Sequence, residues 1–400
     1  MSKYELLAPA GDLEKLKVAI LYGANAVFIG GLRFSLRSRA SNFTISDIKE
    51  ACDFAHEHNA KIHVTCNIVM HNLDTEDLLN YLKELENAGV DCIIASSLYI
   101  LKMVKKHTKM EAHVSTQMSS ANQETVNLFE ALGMDRVVLA RELSLDEIEY
   151  VKKNTNIDIE AFIHGGMCVS YSGRCMLSNN MTNRDANRGG CAHSCRWQYD
   201  ILKDNKKLNP DGDYFQMSSK DLCAIKAIPR LMDIGVNSFK IEGRMKSINY
   251  IATVVNAYRK IIDEYEKNHS IKDFNIYLNQ IKKGENRLTS TGFLFNKPTI
   301  NEQLYDQNLS VPTKEFVGIV KDYDEINKMV IIEQRNYFLP NSILEVFTPE
   351  KTFNIKIGEI YDVDGNILDC ARHPLQIIKF KLDIKLKPYD LLRLGDNNDN

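Results

Sequence analysis

Four cysteines crowd one stretch of this 400-residue chain. Cys168, Cys175, Cys191 and Cys195 stand in EAFIHGGMCVSYSGRCMLSNNMTNRDANRGGCAHSCRW with the spacing C-x6-C-x15-C-x3-C. Four thiolates from a single segment can surround a soft metal ion or an iron–sulfur cluster. Gly165, Gly166, Gly173, Gly189 and Gly190 allow the sharp turns that wrapping needs. They also expose backbone N–H groups that can hydrogen-bond to sulfur. Structural zinc sites usually pair two tight C-x2–4-C hairpins, and only Cys191–Cys195 has that spacing. Buried, inert thiols are the third reading. Residue chemistry alone leaves the three open. Cys223, in KDLCAIKAI at the expected start of a helix, is either a core thiol or an alternative fourth ligand. Cys52, Cys66, Cys92 and Cys370 fall in helix or strand patterns and read as packing residues.

Hydrolytic chemistry has weaker support. The HEH run at His56–His58 is not H-E-x-x-H, and no G-x-S-x-G elbow is present. A thiol nucleophile paired with His164 or His193 remains as a peptidase alternative.

The elements that must carry these residues follow from periodicity. Hydrophobic residues are 44% and charged residues 26%, as in ordinary globular proteins. The net charge of −3 gives no global basic field, so a nucleic-acid partner would need a local patch. The cysteine count is odd, and no signal-peptide or membrane-length apolar run appears. The expectation is a cytoplasmic protein without a membrane span.

Short apolar runs occur at Glu5–Ala8, Ala26–Gly30, Lys61–Ile68, Cys92–Ala95, Glu111–Gln117, Arg136–Ala140, Asp158–His164 and Ser238–Glu242. Amphipathic stretches such as LEKLKVAILYG lie between most of them, which predicts parallel βαβ units. Gly23-Ala-Asn, Gly89-Val-Asp, Gly133-Met-Asp and Gly235-Val-Asn form a weak repeat at helix ends. The predicted fold is α/β, a (β/α)8 barrel over residues 1–270, with a cluster-binding loop at 165–200. A doubly wound sheet is the alternative. Phe215–Ser218 is a ninth candidate strand. A connector over 271–311 holds a short helix near Phe274–Lys283, and 312–395 predicts a small antiparallel β-barrel or sandwich. The GDNNDN tail reads as frayed.

Barrel active sites lie at the C-terminal ends of the strands. Those ends offer Arg33, Arg37, Asn67, Ser115, Gln117, Arg141, Glu142, His164, Glu242 and Arg244. Arg141, His164, Glu242 and Arg244 are the catalytic candidates, and Arg33, Asn67, Ser115 and Gln117 the substrate-binding ones. Each arginine has an ion pair as its plainer role, and Glu242 could hold Arg244 or Lys240. Trp197, the only tryptophan, follows the last loop cysteine and could shield a cluster or stack on a base. Lys105, Lys106, Lys206, Lys207, Lys282 and Lys283 are candidate RNA contacts, or solvated helix ends and turns.

EAFIHGGMCVSYSGRCMLS resembles the defining motif of the collagenase-like peptidases of unassigned catalytic type, peptidase family U32. LLAPAGDLEKLKVAILYGANAVFIG, HVSTQMSSAN and SFKIEGRMKS resemble that family too, over most of residues 4–270. The resemblance implies a [4Fe–4S] cluster on Cys168, Cys175, Cys191 and Cys195, with Cys195 the ligand that varies among members. Several members act as oxygen-independent hydroxylases on tRNA wobble uridine, ribosomal-RNA cytidine or ubiquinone, with prephenate implicated as oxygen donor. Prephenate is a dicarboxylate, which guanidinium forks bind bidentately. Length and layout look closest to the tRNA uridine branch. The implied function is oxygen-independent hydroxylation of tRNA or another structured RNA. A peptidase and a non-catalytic cluster scaffold working with a homologous partner subunit are the alternatives. The electron donor is not implied.

Overall fold

The computed structural model describes residues 3–36, 42–284, 287–304 and 313–395. Arg37, Pro312 and the tail beyond Gly395 lie outside the described residues. Among the described residues, no helix is long and apolar enough to cross a membrane.

Seven parallel strands follow in chain order: β1 (Glu5–Pro9), β2 (Ala26–Gly30), β3 (Lys61–Cys66), β4 (Cys92–Ala95), β5 (Glu111–Val114), β6 (Arg136–Val138) and β7 (Asp158–Gly165). An insertion then adds four short strands: β8 (Leu202–Lys203), β9 (Lys206–Lys207), β10 (Ser218–Ser219) and β11 (Asp221–Cys223). The eighth barrel strand, β12 (Ser238–Ile241), pairs with both β1 and β7. That double pairing closes the barrel and rules out the open sheet. Helices α1 (Leu13–Leu21), α2 (Ile45–Glu57), α3 (Leu78–Asn87), α4 (Leu98–His107), α5 (Gln123–Ala131) and α6 (Leu145–Lys153) link the first seven strands. After them come α7 (Leu177–Thr182) in the insertion, α8 (Ile228–Ile234), the long α9 (Ile248–Asn268) and α10 (Phe274–Lys282).

The repeat at helix ends has a physical cause. Gly23, Gly89, Gly133 and Gly235 sit at φ of 115°, 96°, 77° and 87°, the left-handed region that ends a helix. The Asx two residues later bonds back to the preceding strand. Asn25, Asp91, Asp135 and Asn237 accept from the backbone N–H of Leu6, Ile62, Ala112 and Ile159 at 2.9, 2.7, 2.8 and 3.0 Å. Each also accepts from a basic side chain on a helix: Arg259, His56, Lys105 and Lys152. One side chain therefore ties strand, turn and helix together every second unit.

Several boundaries differ from expectation. β5 stops at Val114 because Ser115 turns the chain into a 3-10 helix, Thr116–Met118, its Oγ accepting from the Gln117 N–H at 3.2 Å. The expected strand at Phe215–Ser218 is split: Phe215 bridges Tyr199, while β10 pairs with β14 (Gln303–Leu304). Cys223 lies on β11 rather than at a helix start. β6 ends early, leaving the upper edge of β7 open, and Leu222 and Cys223 fill it by pairing antiparallel with Gly165 and His164. The connector also joins the roof. Its β13 (Thr289–Ser290) pairs with β11, and Arg287 bonds Asp221 at 2.8 Å.

The C-terminal strands are β15 (Phe316–Asp324), β16 (Met329–Gln334), β17 (Ile343–Phe347), β18 (Thr352–Lys356), β19 (Ile360–Tyr361), β20 (Ile367–Leu368), β21 (Ile377–Lys381) and β22 (Leu391–Leu394). They form one antiparallel sheet in the order β18-β17-β22-β15-β16-β21-β19-β20. It has its own core around Val320, Ile332, Leu344 and Phe380. Ile319, Phe347 and Leu391 face the other way and join the barrel core. Arg393, fully buried, bonds Asn249 and Thr253 of α9 and pairs with Glu345 at 3.1 Å. The Tyr22 hydroxyl donates to the Phe347 carbonyl at 2.7 Å.

Candidate functional site

The cysteine loop leaves β7 at the C-terminal mouth of the barrel. Gly173 shows how closely it is laid down: at φ 77°, a Cβ there would run into the Gln117 carbonyl at the end of β5. Only glycine lets the two backbones approach so near. Arg141, just past β6, donates to the Gly166 carbonyl and reaches Ser172 Oγ at 3.3 Å, its guanidinium 4.5 Å from the Phe162 ring centre. Ser119 donates to the Ser172 carbonyl at 2.7 Å. Further along, Val69 N–H donates to Asn187 O at 3.0 Å, and Arg188 forms a two-pronged pair with Asp74 at 2.6 and 3.1 Å.

Local bonds fold the loop on itself. Ser178 of α7 accepts from Ala192 N–H at 2.9 Å and lies 3.3 Å from the Gly190 carbonyl, which brings the helix after Cys175 beside Cys191. Asn187 donates to the Cys175 carbonyl at 3.2 Å. Arg196, next to Cys195, comes back to Gly166, where an added Cβ would stand 3.1 Å from its guanidinium. The four thiols are free, with Cys168 and Cys191 exposed and Cys175 and Cys195 half-buried. Burial pushes the Cys195 thiol up, Arg196 opposes this, and Cys168, Cys191 and Cys175 each raise it further.

The spread of the donors bears on what they could hold. Four thiolates on one tetrahedral zinc would stand about 3.8 Å apart, given Zn–S bonds of about 2.3 Å. Among the described residues, the trio of His, Cys, Asp or Glu whose ligand atoms lie within 4.8 Å of one another is His63, Cys92 and His113, not a set from the loop. Four free thiols on one segment are a donor set that a soft metal ion or an iron–sulfur cluster can take, the cluster holding each ligand on a separate iron. Cys223 belongs elsewhere: it is buried beside β7, its Sγ 4.0 Å from the Tyr258 hydroxyl.

A cleft of about 250 Å³ opens between the loop and the ends of β3, β4 and β5. It is lined by Asn67, Val69, Ser96, Gln117, Met118, Gly173, Arg174 and Asn187. Two residues expected from strand ends, Asn67 and Gln117, are brought here. Asn67 Oδ1 accepts from Leu36 N–H at 3.2 Å, so its amino group is the part left for a ligand. Ser115 lies beneath, buried, capping the turn that holds Gln117. Arg174 is the cleft's exposed cation, and strand-end reasoning passed it over. Its signal was its place beside Cys175 in the Gly-Arg-Cys of the loop. Glu142, also past β6, has its carboxyl raised by burial, which the neighbouring Arg141 only partly offsets.

The remaining expected residues do not line this cleft. Arg33 is exposed, pairs with Asp77 at 2.8 Å and stacks on Phe34 and Tyr81. Arg244 is buried against the end of β2, bonding Ser35 at 2.9 Å and Asn42 at 2.7 Å. His164 is buried with Nδ1 3.3 Å from the Tyr258 hydroxyl. Glu242 holds the roof through its backbone, its N–H donating to His164 O and its carbonyl accepting from Tyr250. Lys240 pairs with the buried Glu160 at 2.8 Å. Lys105 and Lys106 end α4, at the barrel face opposite the loop, and Lys105 pairs with Asp135 at 2.8 Å. Lys207 and Lys283 are also in ion pairs, with Asp200 and Asp211 and with Glu345. His56 and His58 end α2 at that same far face. Trp197 is 42% exposed, which suits stacking better than shielding.

Comparison with known proteins shows the family. Residues 11–304 match Peptidase family U32, and residues 312–393 match the Peptidase family U32 C-terminal domain. The chain is 48% identical to tRNA hydroxylation protein P1 of Bacillus subtilis, over 98% of this chain and 95% of that protein. It is 32% identical to tRNA hydroxylation protein P of Escherichia coli, over 93% and 92% of the two chains. The 23S rRNA 5-hydroxycytidine C2501 synthase of Escherichia coli is 40% identical over 65% of this chain and 39% of its own length. With both matches spanning the barrel, its loop and the C-terminal sheet, the protein belongs to peptidase family U32.

Proposed function

We propose that the protein is a cytoplasmic RNA-modifying hydroxylase that converts the wobble uridine of tRNA to 5-hydroxyuridine without O₂. The observation that carries this reading is the cysteine loop seated directly on a cleft at the barrel mouth. Relatives named for tRNA and rRNA hydroxylation, similar over the barrel or the whole chain, support it. Cys168, Cys175, Cys191 and Cys195 are the proposed ligands of a [4Fe–4S] cluster, which would supply electron transfer when bound.

This chain's own residues bind and orient. A wobble uridine is unpaired and can be splayed into a pocket. The amides of Asn67 and Gln117 can bond the edge of the base, and the exposed Trp197 and Tyr171 offer stacking faces beside the loop. Prephenate is the proposed oxygen donor. Arg174, rather than the engaged Arg33, Arg141 or Arg244, is the cation placed to hold a carboxylate in the cleft. Glu142 keeps its proton to higher pH than an ordinary carboxyl, so it is the group on this rim suited to proton transfer.

The test compares tRNA nucleosides by mass spectrometry in a deletion strain complemented with the wild type, Cys191→Ser or Arg174→Ala. The wild type restores 5-hydroxyuridine derivatives, Cys191→Ser does not, and Arg174→Ala restores them partly. Unchanged wobble uridines in the deletion strain would remove the tRNA assignment.

A further inference from the structure

The lower half of the barrel holds a second constellation, far from the cysteine loop along the strands. His63, Cys92 and His113 lie on the adjacent strands β3, β4 and β5. His63 is directly opposite Cys92, and His113 is opposite Ile94, two residues further along β4. Side chains alternate along a strand, so that register puts all three on one face. Cys92 packs with Leu7, Ala26, Phe28 and Ile94 in a small apolar cluster. His63, Cys92 and His113 are 0% exposed, and one ligand atom from each lies within 4.8 Å of the other two.

Their hydrogen bonding is unusual for so buried a place. Among the described residues, neither ring nitrogen of His63 has a hydrogen-bond partner, and Nδ1 of His113 has none. Buried polar groups are nearly always satisfied, and the exceptions call for a cause. The other nitrogen of His113, Nε2, bonds the Glu111 carboxylate at 2.9 Å. A carboxylate on one imidazole nitrogen with the opposite nitrogen left for a cation is the usual arrangement around metal-bound histidine.

We propose that His63, Cys92 and His113 form a metal site inside the barrel, separate from the cysteine loop, for a thiophilic d10 cation: zinc(II) or copper(I). Two imidazoles and one thiolate suit either ion. Full burial of His63 favours its neutral imidazole, the form that binds metal. Binding displaces the Cys92 thiol proton to solvent, and no electron is transferred. The surrounding charges are already matched: Glu5 and Glu160 against Arg136 and Lys240. Copper(I) with the thiolate leaves that balance unchanged. Zinc(II) adds one positive charge, which faces Glu111 across His113. Either ion would staple three neighbouring strands and give the open nitrogens a partner.

The test uses the full chain carrying Cys168→Ser and Cys191→Ser, so that loop-bound iron does not obscure the result. The purified protein is expected to hold about one zinc or copper ion per chain, and elemental analysis tells the two apart. Adding Cys92→Ala removes it, whereas Cys66→Ala, a core thiol outside the trio, does not. Refolding with cobalt(II) gives thiolate-to-cobalt absorption that His113→Asn weakens and Cys92→Ala abolishes. Far-UV circular dichroism identifies any variant that fails to fold, and His63→Gln then stands in for it. Metal content near zero, both as purified and after refolding with zinc(II) or copper(I), overturns the proposal. Full metal content in a folded Cys92→Ala protein overturns it as well.

Discussion

At the residue scale, charge decides more than the sequence reveals. Glu160 is fully buried between Lys240 and Arg136. Burial alone would raise its carboxyl, but Lys240 and Arg136 outweigh that and hold it down to about 2. A depressed carboxylate stabilises the fold above its unfolded value and loses that contribution as pH falls through the folded one. Stability should therefore decline as pH drops from the usual range near 4.5 toward 2. Glu160→Gln, which takes the carboxylate from the buried Lys240 while Arg136 keeps Glu5, should cost about 3–5 kcal/mol in urea unfolding at pH 7. A loss under about 1 kcal/mol would show that the network is not coupled. None of this was legible beforehand, because a Glu in IDIEAFIHG looks like any polar position in a strand. Arg141 was legible in place but its contacts were not. Its position past β6 marked it out, yet its guanidinium is spent on Gly166 and Ser172 of the loop. Arg141→Ala should loosen the loop and lower retained iron, while Arg33→Ala leaves iron unchanged.

Elements were read well wherever they are long enough to show a period. All eight barrel strands and the helix near Phe274–Lys283 appear where the pattern put them, within a few residues. Strands of two or three residues, such as β11 and β13, show no period and exist only through their partners. The Gly-x-Asx repeat was visible as spacing, but its cause was not. The side chain of each Asx returns to a strand about 20 or more residues earlier, beyond any local window. Asn25→Ala and Asp135→Ala should each lose about 1–2 kcal/mol of stability. The sites share no partner, so the double variant should show the sum to within about 0.5 kcal/mol. Gly173→Ala tests the seat of the loop. The fold should survive, with unfolding midpoints near wild type, while iron binding is lost, since a Cβ there meets the Gln117 carbonyl.

At the scale of the whole molecule, barrel and C-terminal sheet are joined through a buried polar contact. Arg393 reaches from β22 to Asn249 and Thr253 of α9, with Glu345 beside it. Arg393→Ala leaves Glu345 buried with Lys283 as its counter-ion among the described residues, and should cost about 3 kcal/mol or more. In calorimetry the wild type should melt in one transition and the variant in two. The sequence separated the two regions by their change of period but held no sign of this contact. A lone Arg in LLRL looks like a surface residue.

The proposed activity rests on what the loop holds. Protein purified under argon should be brown and contain about four iron and about four sulfide per chain. In Cys168→Ser/Cys191→Ser both should fall to background. A colourless wild type without iron, or a double variant that keeps the full amount, would contradict the assignment of the loop cysteines.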